Sequence, residues 1–436
     1  MRRERLIAAV AVAAILCGAA AHAQQLTADQ VPTTQASRPY RGVFDAGTAA
    51  RPGGHLLSFT ATFSPEYGNT QNGQPAGSLV LGTGWFYSAS AGLGFERAWQ
   101  RTRFALRAAG SFRYYADSRQ TTQPTYRVEM AVDTQAASER QSTFRFGLSA
   151  EHLPYYVLPL ISTSAPVTGE TAIVPTTRDD ALYPQASNTL GESLGFDVQL
   201  SRRAFLRFSQ DGRYTTGGAP GTNVREAHVA GAFGYRLSQY AALRLGYGYR
   251  TGWFGADTAQ RLSTQDIDVG IDYRRPLFQS RRTTVGFTTG SSLVDEPGRR
   301  RWQFVGAANV RHEFTGGWFI QADLARATRL VQGFTAPFVD NSATASLGGF
   351  FGRRLELLMS AGYSRGEVGT GGGTYTALQG STRLRLALAR WIAIDGEGLY
   401  SKNRFSDQVV MPAGFPANLT RWTVRFNVVL WFALSR

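Results

Sequence analysis

The side chains with the most chemistry to offer in this sequence are arginines set at alternate positions. A guanidinium is always charged and presents a fixed fork of donors that fits carboxylate or phosphate. Arg103, Arg107 and Arg113 recur at even spacing, as do Arg383 and Arg385, and Arg145, Arg207, Arg213, Arg244, Arg250 and Arg425 stand in similar surroundings. Of the 46 basic residues only Lys402 is lysine, a bias with two explanations: genomic codon usage, or selection for the fork. Acids gather at Asp266, Asp268 and Asp272 and at Asp395 and Glu397. The first group has some likeness to a calcium site, but alternate residues of one strand provide no turn to wrap an ion, so pairing with neighbouring arginines is expected.

Acid/base chemistry would need histidine. Four follow the leader, His55, His152, His228 and His312, and two stand near acids: Glu151 beside His152, and Glu226 on the same face as His228. Parity puts His152 and His312 on the apolar face or at a strand end, so no catalytic residue is assigned. Gly369 to Gly373 has no following helix or Lys-Ser/Thr and is not a phosphate loop. No metal or other cofactor is expected.

These residues must be positioned by strands. In Arg103 to Tyr114, Phe104, Leu106, Ala108, Gly110, Phe112 and Tyr114 share one face, and Arg103, Arg107, Ser111 and Arg113 share the other. Phe144, Phe146 and Leu148 oppose Arg145. Leu243, Leu245, Tyr247 and Tyr249 oppose Arg244 and Arg250. Ile267, Val269, Ile271 and Tyr273 oppose the aspartates, and Leu384, Leu386 and Leu388 oppose Arg383 and Arg385. Arg421 to Phe432 repeats the pattern, with Trp422, Val424, Phe426, Val428, Leu430 and Phe432 against Thr423, Arg425 and Asn427. One face wants hydrocarbon and the other water. After residue 23 no apolar run approaches the roughly 20 residues of a spanning helix, so any span is built from strands.

Connections alternate in length. Short ones fall near Gln100, Glu139, Arg202, Ser238, Gln279, Gly316, Arg353 and Ala389. Longer polar loops cover 65–82, 117–125, 158–188, 211–223, 252–262, 293–300, 330–338, 366–374 and 402–419. This predicts an all-β fold: a closed antiparallel transmembrane barrel of about eighteen strands, with sixteen also possible, short turns on the periplasmic side and long loops outside. Trp85, Phe86, Tyr87, Trp302, Phe314, Trp318, Trp391 and Trp422 fit interfacial girdles. A soluble sandwich is the competing architecture.

Residues 1–23, with Arg2, Arg3 and Arg5 before an apolar run and Ala21-His22-Ala23 at its end, have the layout of a cleaved signal peptide. Cys17, the sole cysteine, follows bulky Leu16 and makes a poor lipidation site; without it there is no disulfide or Cys-based metal site. Residues 24–54 read as a flexible periplasmic segment, and 55–436 as the barrel. The net charge of +15 is spread over many strands, not gathered in one patch, which argues against nucleic acid as a partner.

The closing strand and its final aromatics resemble the assembly signal of bacterial outer-membrane β-barrels, and with the leader and the loop asymmetry the resemblance extends over the whole mature chain. It implies an outer-membrane location, contact with outer-membrane lipid and lipopolysaccharide, and insertion by the barrel-assembly machinery. The segment 24–54 is too short for the plug of a TonB-dependent receptor. An arginine-rich lumen is similar to barrels that export acidic polysaccharides and to substrate-selective porins. That likeness implies a channel for anionic or polar solutes in exopolysaccharide export, with a periplasmic polysaccharide-export protein as its partner. The lumen residues would be Arg103, Arg107, Arg113, Arg145, Arg207, Arg244, Arg250, Arg383, Arg385, Arg425, Asp266, Asp268 and Asp272. Loop 158–188, with its prolines and apolar anchors, would gate the pore or sit as an external lid. A non-conducting surface adhesin or assembly scaffold, and a rim enzyme, are the other functions considered.

Overall fold

A computed structural model describes residues 54–71, 81–115, 120–121, 124–135, 142–153, 156–157, 181–183, 186–217, 223–254 without 239, 260–277, 282–296, 299–331 without 330, 334, and 336–435 without 353, 370–371, 390 and 412–416. The expected leader and periplasmic segment, and nearly all of the proposed gating loop 158–188, lie outside the described residues.

Eighteen long strands run in chain order: β1 (His55–Gln71), β2 (Leu81–Ala98), β3 (Thr102–Tyr115), β4 (Thr125–Gln135), β5 (Ser142–Leu153), β6 (Ser187–Gln199), β7 (Ala204–Gly217), β8 (Val224–Arg236) and β9 (Ala241–Phe254), then β10 (Gln260–Leu277), β11 (Thr283–Glu296), β12 (Arg299–Glu313), β13 (Phe319–Arg329), β14 (Phe338–Phe351), β15 (Leu355–Val368), β16 (Gly373–Ala389), β17 (Ile392–Phe405) and β18 (Asn418–Ser435). Each pairs antiparallel with the next, and β1 pairs with β18, so the sheet closes into a barrel. The alternative of sixteen strands is excluded: 81–98 forms one strand, and β13 and β14 are separate. Within the longest connection, Tyr156–Val157 pairs with Ala181–Tyr183 as a short ribbon.

The described strand ends bracket every position at which the alternation placed a short turn. Several loops are shorter than expected, because polar and glycine-rich sequence at the outer end continues in strand. β1 runs to Gln71, β7 to Gly217, β9 to Phe254 and β15 to Val368, while β11 and β12 are separated by residues 297–298 alone. Cross-strand hydrogen bonds do not need apolar side chains, so above the lipid belt the ladder persists after the alternation has faded.

The apolar stripes face outward. Leu106, Phe112, Leu190, Leu245, Val269, Leu324, Phe426 and Phe432 are all well exposed, while their neighbours Ser111, Arg113, Arg244, Asp266, Arg425 and Asn427 are buried on the inside. A polar inner wall with a hydrocarbon exterior is the architecture of outer-membrane barrels, which cross the bilayer many times by strands. Phe86 departs from the expected girdle: it faces the lumen at 1% exposure, beneath the Arg113 guanidinium 4.9 Å away.

At the closing seam, Asn69 takes over where the ladder thins: its Nδ2 donates to the Thr420 carbonyl at 2.9 Å, and its Oδ1 accepts from the Trp422 N–H at 2.6 Å. Gly68 lies so near that strand that a Cβ would meet the Trp422 carbonyl oxygen at 2.4 Å, so the close approach requires glycine. At the opposite end the turn between β12 and β13 uses Gly316 and Gly317 at φ 79° and 83°, conformations that side chains disfavour. β12 pairs with β13 only from Gly306 to Glu313, leaving Arg299–Val305 bonded to β11 alone.

Candidate functional site: the lumen wall

The inner wall is built from alternate residues, and its charges stand in register. Glu96 on β2 faces Ala105 on β3, and so sits between Arg103, bonded at 2.7 Å, and Arg107, bonded at 3.1 Å. Asp197 on β6 holds Arg207 of β7 at 2.8 Å and also pairs with Arg145 of β5. Arg127 on β4 pairs with Glu129 and reaches Glu151 on β5 at 3.3 Å. Across β15 to β18 the same pattern returns: Arg383 with Glu356 at 3.5 Å, Arg385 with Asp395 at 2.8 Å and Arg425 with Glu397 at 2.8 Å. A guanidinium cannot lose its proton, so a carboxylate across the ladder offsets its charge and fixes its fork.

Six of the expected arginines are therefore strand-bridging residues in this structure: Arg103, Arg107, Arg145, Arg207, Arg383 and Arg385; Arg425 makes a seventh. The carboxylates Glu96, Asp197 and Glu356 were not among the expected lumen residues; Glu397 belongs with Asp395 to an acidic pair that the sequence displays. Glu96, Asp197 and Glu356 are each the lone acid on the inner face of their strand, and the register that sets each beside an arginine becomes visible only when neighbouring strands are laid side by side.

Arg113, Arg244 and Arg250 are buried to 4% exposure on the inner face. The Arg250 Nη1 donates to the Thr328 carbonyl of β13 at 3.3 Å, four strands along the wall from its own. That contact falls beside the stretch where β12 and β13 part. Asp266 accepts from the Ser292 hydroxyl at 2.5 Å. Asp268 and Asp272 lie in a register slip: from Ile267 to Tyr273 on β10 the partners on β11 run only from Ser291 to Phe287. The side chains of those two aspartates lie outside the described residues.

Neither anticipated acid/base pair forms. Glu151 faces inward to Arg127, whereas His152 faces outward, its ring 5.4 Å from that of Tyr126 and its Nδ1 2.8 Å from the Asn188 amide oxygen. His228 is fully buried, and its nearest carboxylate is Asp211 at 3.7 Å, too far for a hydrogen bond.

The outer mouth carries a feature the sequence did not suggest. Phe338, Val368, Tyr375, Ala377, Phe405 and Leu419 face the inside of β14 to β18, and Val331, Phe334 and Val409 from two outer loops pack onto them. The Phe334 ring lies 4.9 Å from Phe338 and 5.6 Å from Phe405, with Tyr375 5.0 Å from Phe338. The Tyr375 hydroxyl lies 3.1 Å from the Ser364 hydroxyl, which donates to Asp340 at 3.1 Å. An apolar core inside the barrel ties two loops to one arc of its mouth, and it consists of single aromatics at strand ends, where girdle residues are also expected.

No protein-family profile matches the chain, and no curated protein matches it in sequence. Among solved structures it is similar to OpdO of Pseudomonas aeruginosa, 12% identical, covering 89% of this chain and 99% of that one at a TM-score of 0.44. It is similar also to OccK2 (OpdF) of the same organism, solved in complex with glucuronate, at 12% identity, 88% and 100% coverage and a TM-score of 0.45. OccAB4 of Acinetobacter baumannii, at 9% identity, 86% and 98% coverage and a TM-score of 0.42, is a third. At these values the likeness stops at general architecture.

Proposed function

We propose that the chain is an outer-membrane channel for polar solutes with a preference for anions. The observation that carries this is the lumen wall: guanidinium forks held in register by carboxylates on β2 to β7 and β15 to β18. Such pairs keep the forks ordered while leaving donor hydrogens for a passing solute, and weak exchangeable sites are what conduction needs. With most arginines paired, selectivity should be moderate. Export of an acidic exopolysaccharide is the narrower form of this proposal: its support is the spread of arginine around the wall, which suits an extended anion, and it would add a periplasmic export protein as partner. Planar-bilayer recording tests the proposal. Stepwise currents with anion preference, weakened by neutralising Arg103, Arg107, Arg244 and Arg383, are expected; a silent or cation-selective protein overturns it.

A second reading, a non-conducting surface scaffold, is favoured by the aromatic cluster packed into one arc of the mouth. It predicts no current from protein that is demonstrably folded in the bilayer.

A further inference from the structure

On the outer face of β13 to β18 one transverse row interrupts the apolar exterior. Following the register from strand to strand, Arg326 pairs with Asn341, Asn341 with Arg365, Arg365 with Thr376, Thr376 with Arg404, and Arg404 with Asn418. The three arginines share parity with the exposed outward residues Leu324, Tyr363 and Tyr400, and are themselves exposed. They stand on every second strand, roughly 10 Å apart at the usual strand spacing. Between them are only small polar side chains, and the row contains no acid. The step below it, toward the membrane, is Leu324, Ala343, Tyr363, Leu378 and then Lys402, the chain's single lysine, which adds a fourth cation beside Arg404.

Seven of the lumen arginines described above are paired with carboxylates, whereas the described contacts of this row are one hydrogen bond to a neutral group, Arg326 Nη1 donating to the Asn341 side chain at 3.3 Å. A guanidinium facing hydrocarbon is costly, so a line of three must end the lipid belt at this level. A charged line at that boundary meets the headgroups of the outer leaflet. Forks spaced along a wall, with hydroxyl and amide groups between, fit phosphate oxygens, and apolar side chains directly below fit the acyl chains that come with them.

We infer that Arg326, Arg365 and Arg404 form a binding row for a phosphorylated lipid of the outer leaflet, with Asn341, Thr376 and Lys402 as supporting contacts. The site is on the exterior and does not depend on whether the lumen conducts.

The test uses the full chain purified in a neutral detergent, with its folded state checked by its gel shift on heating, and native mass spectrometry to count retained lipid. Lipopolysaccharide, its chemically dephosphorylated form and inorganic phosphate are the probes. The wild type should retain the phosphorylated lipid more than tenfold better than the dephosphorylated form, and inorganic phosphate at millimolar concentration should leave it bound. R326Q/R365Q/R404Q should lose more than tenfold in retention, while a control with R97Q/R236Q, two exposed arginines at the short-turn end of the barrel, should lose none. Equal retention by the triple variant, equal binding of the dephosphorylated lipid, or displacement by free phosphate would each overturn the assignment. Should the triple variant fail to fold, R365Q alone and the comparison of lipid forms on the wild type decide the same question.

Discussion

Arg385 of β16 and Asp395 of β17 face each other directly across the ladder and bond twice, Nε to Oδ1 at 2.8 Å and Nη2 to Oδ2 at 3.1 Å. Asp395 is 3% exposed and the Arg385 side chain 14%, so the carboxylate has left bulk water, the guanidinium has largely done so, and each depends on the other. Removing one partner of such a pair strands the other. Asp395→Asn should destabilise the barrel by about 3 to 5 kcal/mol, and the double change Asp395→Asn with Arg385→Met should recover much of that loss. Denaturant unfolding of both variants in lipid vesicles measures it.

Asp197 is in a different position, because it serves two arginines that remain in part exposed. Water already screens these contacts, so Asp197→Asn should cost only about 1 kcal/mol. Its electrical effect should be larger than its effect on stability: Arg145 and Arg207 would be left without their carboxylate, and anion selectivity from reversal potentials should rise. A fall would mean that the lumen charges do not set the field of the pore.

The partition of faces has a sharp consequence at two adjacent positions. Leu106 is 39% exposed on the outside of β3, and Ala105 faces inward opposite Glu96. Leu106→Arg should cost about 2 to 4 kcal/mol, by placing charge against hydrocarbon, whereas Ala105→Arg, although it stands between Arg103 and Arg107, faces the aqueous lumen and the Glu96 carboxylate and should cost less. Equal costs in vesicle unfolding titrations would contradict the assigned orientation of the wall.

At the mouth, Phe334 joins its loop to Phe338 and Phe405. Phe334→Ala should remove about 3 to 5 kcal/mol of packing at most, and less where the loop resettles. Because β14 to β18 keep their ladder, the barrel should still form, with larger single-channel conductance and more frequent sub-states. Unchanged conductance would mean that this cluster does not narrow the path.

Much of the fold was legible because a transmembrane strand obeys two strict rules at once. Side chains alternate between faces, and one face must be hydrocarbon, so Phe112 beside Arg113, or Phe426 beside Arg425, already states which is outside. The eight turns were legible for the same reason, since alternation stops there. The outer ends were harder to place. Above the lipid belt, β7 and β9 continue through polar residues whose strand character comes from their neighbours' hydrogen bonds and not from their own side chains. Phe86 shows the limit of the girdle argument: an aromatic near a strand end points to lipid or to lumen according to a parity that one residue of register reverses.

For this chain, local alternation by itself determined the closed barrel, its sidedness and the inward direction of the lumen arginines, because those depend on neighbours one and two residues apart. Tertiary structure alone decided which arginine meets which carboxylate, that an aromatic core fills one arc of the mouth, and that Arg326, Arg365 and Arg404 form one line on the exterior. Each of these depends on the register between strands, and hydrogen bonds between backbones set that register over separations that a linear pattern does not encode.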